Sequence, residues 1–100
     1  MQISYSYQGK WRIRSLTDSE VVVGRPNSQS QVHIDLSPDT TVSRVHAKIW
    51  MQDGTCWIKD MESKYGTQVN GEKLEGVRQL QVGDTIVIGE TMMRIDYPQK

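Results

Sequence analysis

The sequence predicts an all-β fold, a two-sheet β-sandwich. Three observations carry that prediction. Nowhere do apolar residues recur at i, i+3, i+4 and i+7 over successive turns, so no amphipathic helix is expected. Turn signals punctuate the chain at intervals of about 8–12 residues, the spacing of sandwiches and barrels. Between them, several short segments alternate apolar and polar side chains, as half-buried strands do.

The elements follow in order. Ile3-Ser4-Tyr5-Ser6-Tyr7 alternates and ends at the turn Gln8-Gly9-Lys10; it reads as an N-terminal strand or a loose arm. Trp11 to Leu16 is a clearer strand, with Trp11, Ile13 and Ser15 on one face and Arg12 and Arg14 on a solvated one. Glu20 to Gly24 carries three consecutive valines, which predict burial on both faces. Arg25 precedes Pro26 and is therefore biased to an extended backbone, held at a strand end. Asn27 to Gln31 is a polar loop, Val32 to Leu36 a short strand and Ser37-Pro38-Asp39 a turn. The segment from Thr41 runs through a polar turn into the central strand, with Ala47, Ile49 and Met51 on one face, ending near Gln52. Asp53-Gly54 is the strongest hairpin signal in the chain, and a two-residue loop there sets Met51 opposite Cys56, Trp50 opposite Trp57 and Ile49 opposite Ile58. Trp50 and Trp57 then form a cross-strand pair that stabilises the sheet. Asp60 to Gly66 is a loop, Thr67 to Val69 a short strand, Asn70-Gly71 a second two-residue turn, and Glu72 to Leu74 the returning strand. Val77 to Leu80 is marginal. Gly83-Asp84 turns into Thr85 to Ile88, Gly89-Glu90 is a tight turn of the glycine-first kind, and Thr91 to Tyr97 is the last strand before Pro98.

One hundred residues suffice for one domain with one modest core. Lys and Arg number 12, as do Asp and Glu, so the formal net charge is zero. A general binder of nucleic acid or anionic membrane would carry a basic excess, so neither partner is expected, and any anion site must be local. The single Cys56 excludes an intrachain disulfide and a multi-cysteine metal site. Its apolar strand predicts a buried, inert thiol and a reducing, cytoplasmic setting. No apolar run approaches the length of a membrane span, and Met1 to Tyr5 has no signal-peptide character. A lone domain with no catalytic constellation is expected to be a piece of a larger protein. No metal and no cofactor are expected.

The chemistry concentrates in three places. Ser43, Arg44 and His46 fall within four residues at a turn. That spacing is poor for a metal, which needs several converging ligands, and it suits an anion: a hydroxyl, turn N–H groups and a guanidinium fork. Upstream, Gly24-Arg25 delivers a second Arg. Downstream, Ser63-Lys64-Tyr65-Gly66-Thr67 delivers a third polar turn.

Gly24-Arg25, then Ser43-Arg44-x-His46-Ala47, then Asp60-x-x-Ser63-x-x-Gly66-Thr67-x-Val69-Asn70-Gly71 resembles a forkhead-associated (FHA) domain, from about Trp11 to Tyr97. Any one motif is weak; all three in this order are specific. The resemblance implies a SMAD/FHA-like sandwich with recognition loops at one end, and a module that binds phosphothreonine in a partner protein. A phosphoryl group brings about −1.5 to −2 charge and three acceptor oxygens. Arg25 would meet it with a fork, Ser43 with its hydroxyl and Arg44 with its backbone N–H. Lys64 stands where the family places a phosphate or peptide contact. Gly24, His46, Gly66, Thr67, Asn70 and Gly71 would be architectural, His46 by bonding the loops together. Tyr65 departs from the family, which has Asn there to hold the peptide main chain; Tyr cannot copy an amide's paired donor and acceptor. The alternative is a scaffold that docks partners without phosphate, kept open by Tyr65 and the Trp50/Trp57 pair. An enzyme is disfavoured. Ser43 and His46 are expected to point apart, with no third orienting group and no glycine elbow.

Overall fold

The computed structural model describes residues 1–26 and 31–97. Most of the polar loop expected at Asn27 to Gln31, and the terminating Pro98, lie outside the described residues. Within them the chain forms strands β1 (Gln2–Tyr7), β2 (Lys10–Ser15), β3 (Glu20–Gly24), β4 (Ile34–Asp35), β5 (Ala47–Gln52), β6 (Thr55–Asp60), β7 (Thr67–Val69), β8 (Glu72–Lys73), β9 (Val77–Leu80), β10 (Ile86–Ile88) and β11 (Thr91–Asp96). They build two sheets, in the orders β2-β1-β11-β10-β7-β8 and β4-β3-β5-β6-β9. Ile3, Val21, Val23, Ile49, Ile58, Ile86, Ile88 and Met93 are fully buried between them.

The hairpin expected at Asp53-Gly54 forms in the expected register, with Met51, Trp50 and Ile49 opposite Cys56, Trp57 and Ile58. Both turn residues have positive φ, 53° and 78°, as a type I′ turn demands. Asn70-Gly71 behaves alike, closing Val69 onto Glu72. At Gly89-Glu90 only the glycine is left-handed (φ 61°), the glycine-first turn expected there.

Four expectations shift. Ile3 to Tyr7 is no loose arm: β1 lies between β2 and β11, with Ile3 and Tyr5 in the core, so the packed domain begins before Trp11. The strand expected over Val32 to Leu36 contracts to Ile34–Asp35, because β4 only brushes the end of β3 in parallel and cannot extend a ladder. Of the three valines Val21 and Val23 are buried and Val22 only half so. Strand β2 is exposed on both faces, since it is the edge of its sheet.

The antiparallel pairings decide where function can sit. The end of β3, the start of β5, the end of β6, the start of β7 and the end of β10 all meet at one end of the sandwich. The β3–β4, β4–β5, β6–β7 and β10–β11 connections therefore cluster there.

Candidate functional site

Gly24 ends β3 against the β4–β5 loop. A Cβ placed on it would lie 2.1 Å from the Arg44 carbonyl oxygen, a separation no side chain can occupy. The absence of a side chain lets the Arg25 N–H reach the carbonyls of Ser43 (3.2 Å) and Arg44 (3.1 Å). The Arg25 Nε–H also donates to the Val42 carbonyl. Main chain and side chain together thus hold this guanidinium at the strand end, half-buried.

Ser43 joins the second loop to the third. Its Oγ accepts the Lys64 N–H at 3.0 Å, leaving its own O–H to donate elsewhere. Arg44, Lys64 and Tyr65 are exposed. The Lys64 ammonium sits 5.3 Å from the Tyr65 ring centroid, in cation–π range. Among the described residues no carboxylate forms an ion pair with Arg25, Arg44 or Lys64. Main-chain bonds thus set Arg25 and Lys64 beside Ser43 and Arg44, and among the described residues no carboxylate pairs with these cations, on a chain of zero net charge. Tyr65 stands at their margin, 64 % exposed.

His46 is fully buried beneath them. Its Nδ1 accepts the Ser43 N–H (3.0 Å), which makes Nε2 the protonated nitrogen, donating to the Gly66 carbonyl at 2.8 Å. The ring thus ties the β4–β5 loop to the β6–β7 loop. Since Nδ1 is occupied as an acceptor, the 3.9 Å approach of Nε2 to Asp60 is a proximity and not an ion pair. Ser43 Oγ turns to Lys64 and the imidazole does not bond it, but the strand alternation expected to separate the two side chains is not the reason. The segment between them is a bend, and the imidazole folds back onto the Ser43 main chain. Both ring nitrogens are consumed by backbone groups, so His46 has none left to act as a base toward the Ser43 hydroxyl.

The other architectural residues divide by position. Gly66 gives its carbonyl to His46 and its N–H to Ser63 Oγ (2.9 Å). Thr67 Oγ1 donates to Asp60 (2.7 Å). Asn70 and Gly71 lie at the far end of β7. Asn70 there receives the Thr85 N–H (2.9 Å) and donates to Asp84 (3.0 Å), bracing loops remote from the cation cluster.

Two carboxylates matter more than the sequence suggested. Asp60 accepts from Ser63 N–H (2.9 Å), Ser63 Oγ (2.6 Å) and Thr67 Oγ1, and so shapes the third loop. Burial raises its pKa, but the bonds from Ser63 and Thr67 outweigh that and hold it below the usual aspartate range. Asp39, read as a mere turn residue, is 1 % exposed. It takes the Thr41 N–H and hydroxyl, the Glu90 N–H (2.7 Å) and the Thr91 hydroxyl (2.8 Å), locking the β4–β5 loop to the β10–β11 turn. Here too burial raises the pKa and the bonds from Thr41, Thr91 and Glu90 more than reverse it. Asp followed two residues later by Thr signals a local turn; nothing local signals partners 51 and 52 residues away. His33 accepts the Val22 N–H (3.0 Å) and approaches Asp18 at 3.4 Å, pinning the start of β4 to β3.

Comparison with known proteins identifies the family. The FHA domain family model matches residues 21–89, from β3 through the last turn. The chain is 45% identical over 76 residues to Nibrin of Danio rerio and 38% identical over 98 residues to Nibrin of Gallus gallus, covering 74% and 84% of this chain. It spans 9% and 12% of those two proteins' lengths. Among solved structures, the FHA domain of the CT664 protein from Chlamydia trachomatis superposes with a TM-score of 0.82 at 29% identity, over 97% of both chains. An FHA domain described for phosphothreonine-dependent interactions gives 0.73 at 25% identity, over 98% of this chain and 100% of that one. Mycobacterium tuberculosis EmbR in complex with a low-affinity phosphopeptide gives 0.73 at 25% identity, over 92% of this chain and 24% of that one. Gly24 against the Arg44 carbonyl, His46 between two loops and Asp60 within the third are the motifs that defined the resemblance, and with a family model matched over more than half its length the chain belongs to the FHA domain family.

Proposed function

We propose that this chain is a phosphoprotein-binding module that takes phosphothreonine in a partner protein through the β3–β4, β4–β5 and β6–β7 loops. The observation that carries the reading is the junction of Arg25, Ser43 and Lys64. The Arg25 N–H bonds to the Ser43 carbonyl, the Lys64 N–H bonds to Ser43 Oγ, and among the described residues no carboxylate pairs with either side chain and the Ser43 hydroxyl donates no bond. Arg25 and Ser43 bind the phosphoryl oxygens, the Arg44 N–H and Lys64 supplement them, and Tyr65 meets the peptide beside the phosphoresidue. Gly24, His46, Gly66 and Thr67 hold these groups in place. The domain binds and does not catalyse, because His46 has no nitrogen left for proton transfer. The preference for threonine draws support from the phosphothreonine-dependent interactions of a structural neighbour. The Nibrin relatives are far longer, which supports a module working within a larger protein. Cys56 fits a reducing, cytoplasmic setting: it is buried, and its thiol is pushed up to about 11 by burial.

Calorimetric titration tests the reading with one peptide carrying phosphothreonine, phosphoserine or unmodified threonine. The phosphothreonine form binds tightest and the unmodified form not at all. Arg25→Ala abolishes binding without unfolding the domain, because the backbone bonds at position 25 survive the substitution. Charged hydrogen bonds are worth ~1.5–3 kcal/mol each, so a loss of at least tenfold to a hundredfold is expected. Equal binding of phosphorylated and unmodified peptides would establish instead a phosphate-independent scaffold.

A further inference from the structure

Among the described residues strand β2 is the unpaired margin of the six-stranded sheet, and its two faces differ in chemistry. Met1 and Leu16 exchange both backbone bonds, N–H to carbonyl at 2.8 Å in each direction. That pair fixes the phase of the ladder. In an antiparallel pair bonded and non-bonded positions alternate, so Arg14, Arg12 and Lys10 bond back to Ile3, Tyr5 and Tyr7. The N–H and C=O groups of Trp11, Ile13 and Ser15 consequently point away from β1, into solvent.

The side chains sort by the same alternation. Lys10, Arg12 and Arg14 stand opposite Tyr7, Tyr5 and Ile3, and so share the core-facing side of the sheet, yet all three are exposed. The smaller sheet ends at β4 and does not cover them. Lys10 and Arg12 line an open groove of about 450 Å³ there, floored by Tyr5 and Tyr7 and walled by Asp35 and Pro38. Asp35 takes the Ser37 N–H and hydroxyl, and among the described residues no carboxylate pairs with any of the three cations. On the other face Trp11 and Ile13 are 54% and 61% exposed, and Met92 lies across Ser6 in the same row as Trp11.

Soluble proteins blunt their sheet edges with prolines, bulges or very short strands. Strand β2 has six residues, no proline and an unbroken register. Its cations act as the guard against self-pairing. A second copy added antiparallel would set Lys10, Arg12 and Arg14 against their own kind, and like charges directly opposite are destabilising. The same row of cations attracts a strand of opposite charge.

We propose that β2 is a docking edge for an extended segment of a partner protein whose side chains alternate acidic and apolar. The segment adds as an antiparallel strand, its carboxylates over Lys10, Arg12 and Arg14 and its apolar side chains beside Trp11 and Ile13. This surface does not use Arg25, Ser43 or Lys64 and stands whether or not the loops bind phosphothreonine.

The test uses the full chain and an unphosphorylated synthetic peptide of alternating Glu and Ile or Val, followed by amide NMR and tryptophan fluorescence. Hydrogen exchange at Trp11 and Ile13 slows at least fivefold on peptide addition, Trp11 emission shifts, and a peptide with Lys replacing Glu does neither. Ile13→Pro removes an outward N–H without touching the ladder to β1, and weakens binding at least fivefold. Arg12→Glu, an exposed change that does not depend on Ile13→Pro folding, weakens binding of the Glu peptide at least fivefold. A phosphopeptide titration of both variants gives the wild-type curve. Unchanged exchange at Trp11 and Ile13, undiminished Glu-peptide binding by Arg12→Glu, or self-association of the chain through β2 would each overturn the proposal.

Discussion

At Tyr65 the chain offers a phosphopeptide something other than an amide. The ring is 64% exposed, and the Lys64 ammonium lies over it. A ring in that position grips the peptide main chain weakly and favours an apolar side chain beside the phosphothreonine. Tyr65→Asn is expected to tighten binding to generic phosphothreonine peptides by about one hydrogen bond, ~0.5–1.5 kcal/mol, and to flatten the preference for apolar neighbours. A panel of phosphopeptides varied only at the flanking positions measures both effects; uniform weakening would make Tyr65 itself a principal contact. His46 acts differently, since it touches no ligand. His46→Ala strands the Ser43 N–H and the Gly66 carbonyl beneath the loops, at ~1–3 kcal/mol for each group left unsatisfied. Melting temperature should fall first and affinity follow. A variant with unaltered melting and no binding would place His46 in direct contact with the ligand.

Among the elements, the β10–β11 turn looks like simple connection and is a structural clamp. Gly89 has φ 61°, and a Cβ there would meet Thr41 Oγ1 at 2.3 Å and Asp39 Oδ2 at 2.9 Å. Gly89→Ala therefore forces Asp39 away from the Glu90 N–H and Thr91 hydroxyl, whereas Gly9→Ala, at φ 79°, meets nothing within 4 Å and bears backbone strain alone. Thermal denaturation should show a markedly larger loss for Gly89→Ala, and comparable losses would mean the Asp39 clamp contributes little. This clamp also marks the limit of what the sequence discloses. The β5–β6 and β7–β8 hairpins were legible, register included, because Asp-Gly and Asn-Gly dictate the turn and the turn dictates the pairing. The candidate site residues were legible as motifs, and the cluster they form depends on Gly24 admitting the Arg44 carbonyl. Strand β4 was over-read because a parallel contact of two residues leaves no periodicity. Asp39 was missed because its decisive partners lie across the molecule; β2 was legible as a strand but not as an edge, because periodicity cannot distinguish an edge strand from a covered one.

For the molecule as a whole, Asp39 and Asp60 make folding and binding respond to acid in separate windows. Both carboxyls are held below the usual aspartate range in the folded state, because hydrogen bonds outweigh burial. A depressed folded pKa contributes stability that is complete above the unfolded value, about 3.9, and is lost as pH falls through the folded one. The share of the melting temperature that these two carboxylates carry should accordingly hold from neutrality down to about pH 5 and decline below about pH 4. Asp39→Asn should lower it at pH 7 and reduce the acid slope, since an amide cannot accept all the bonds now made by Thr41, Glu90 and Thr91. The phosphoryl group titrates earlier, with a second pKa of about 6. Between pH 7 and pH 5 it sheds part of the charge that Arg25 and Lys64 would read, while the domain remains folded. Phosphothreonine affinity should thus weaken severalfold over an interval in which the carboxylates' share of the stability does not move. Parallel calorimetry and thermal denaturation of the wild type and Asp39→Asn across that interval test the separation, and a melting difference between the two that shrinks together with affinity above pH 5 would show that Asp39 titrates outside the window assigned to it.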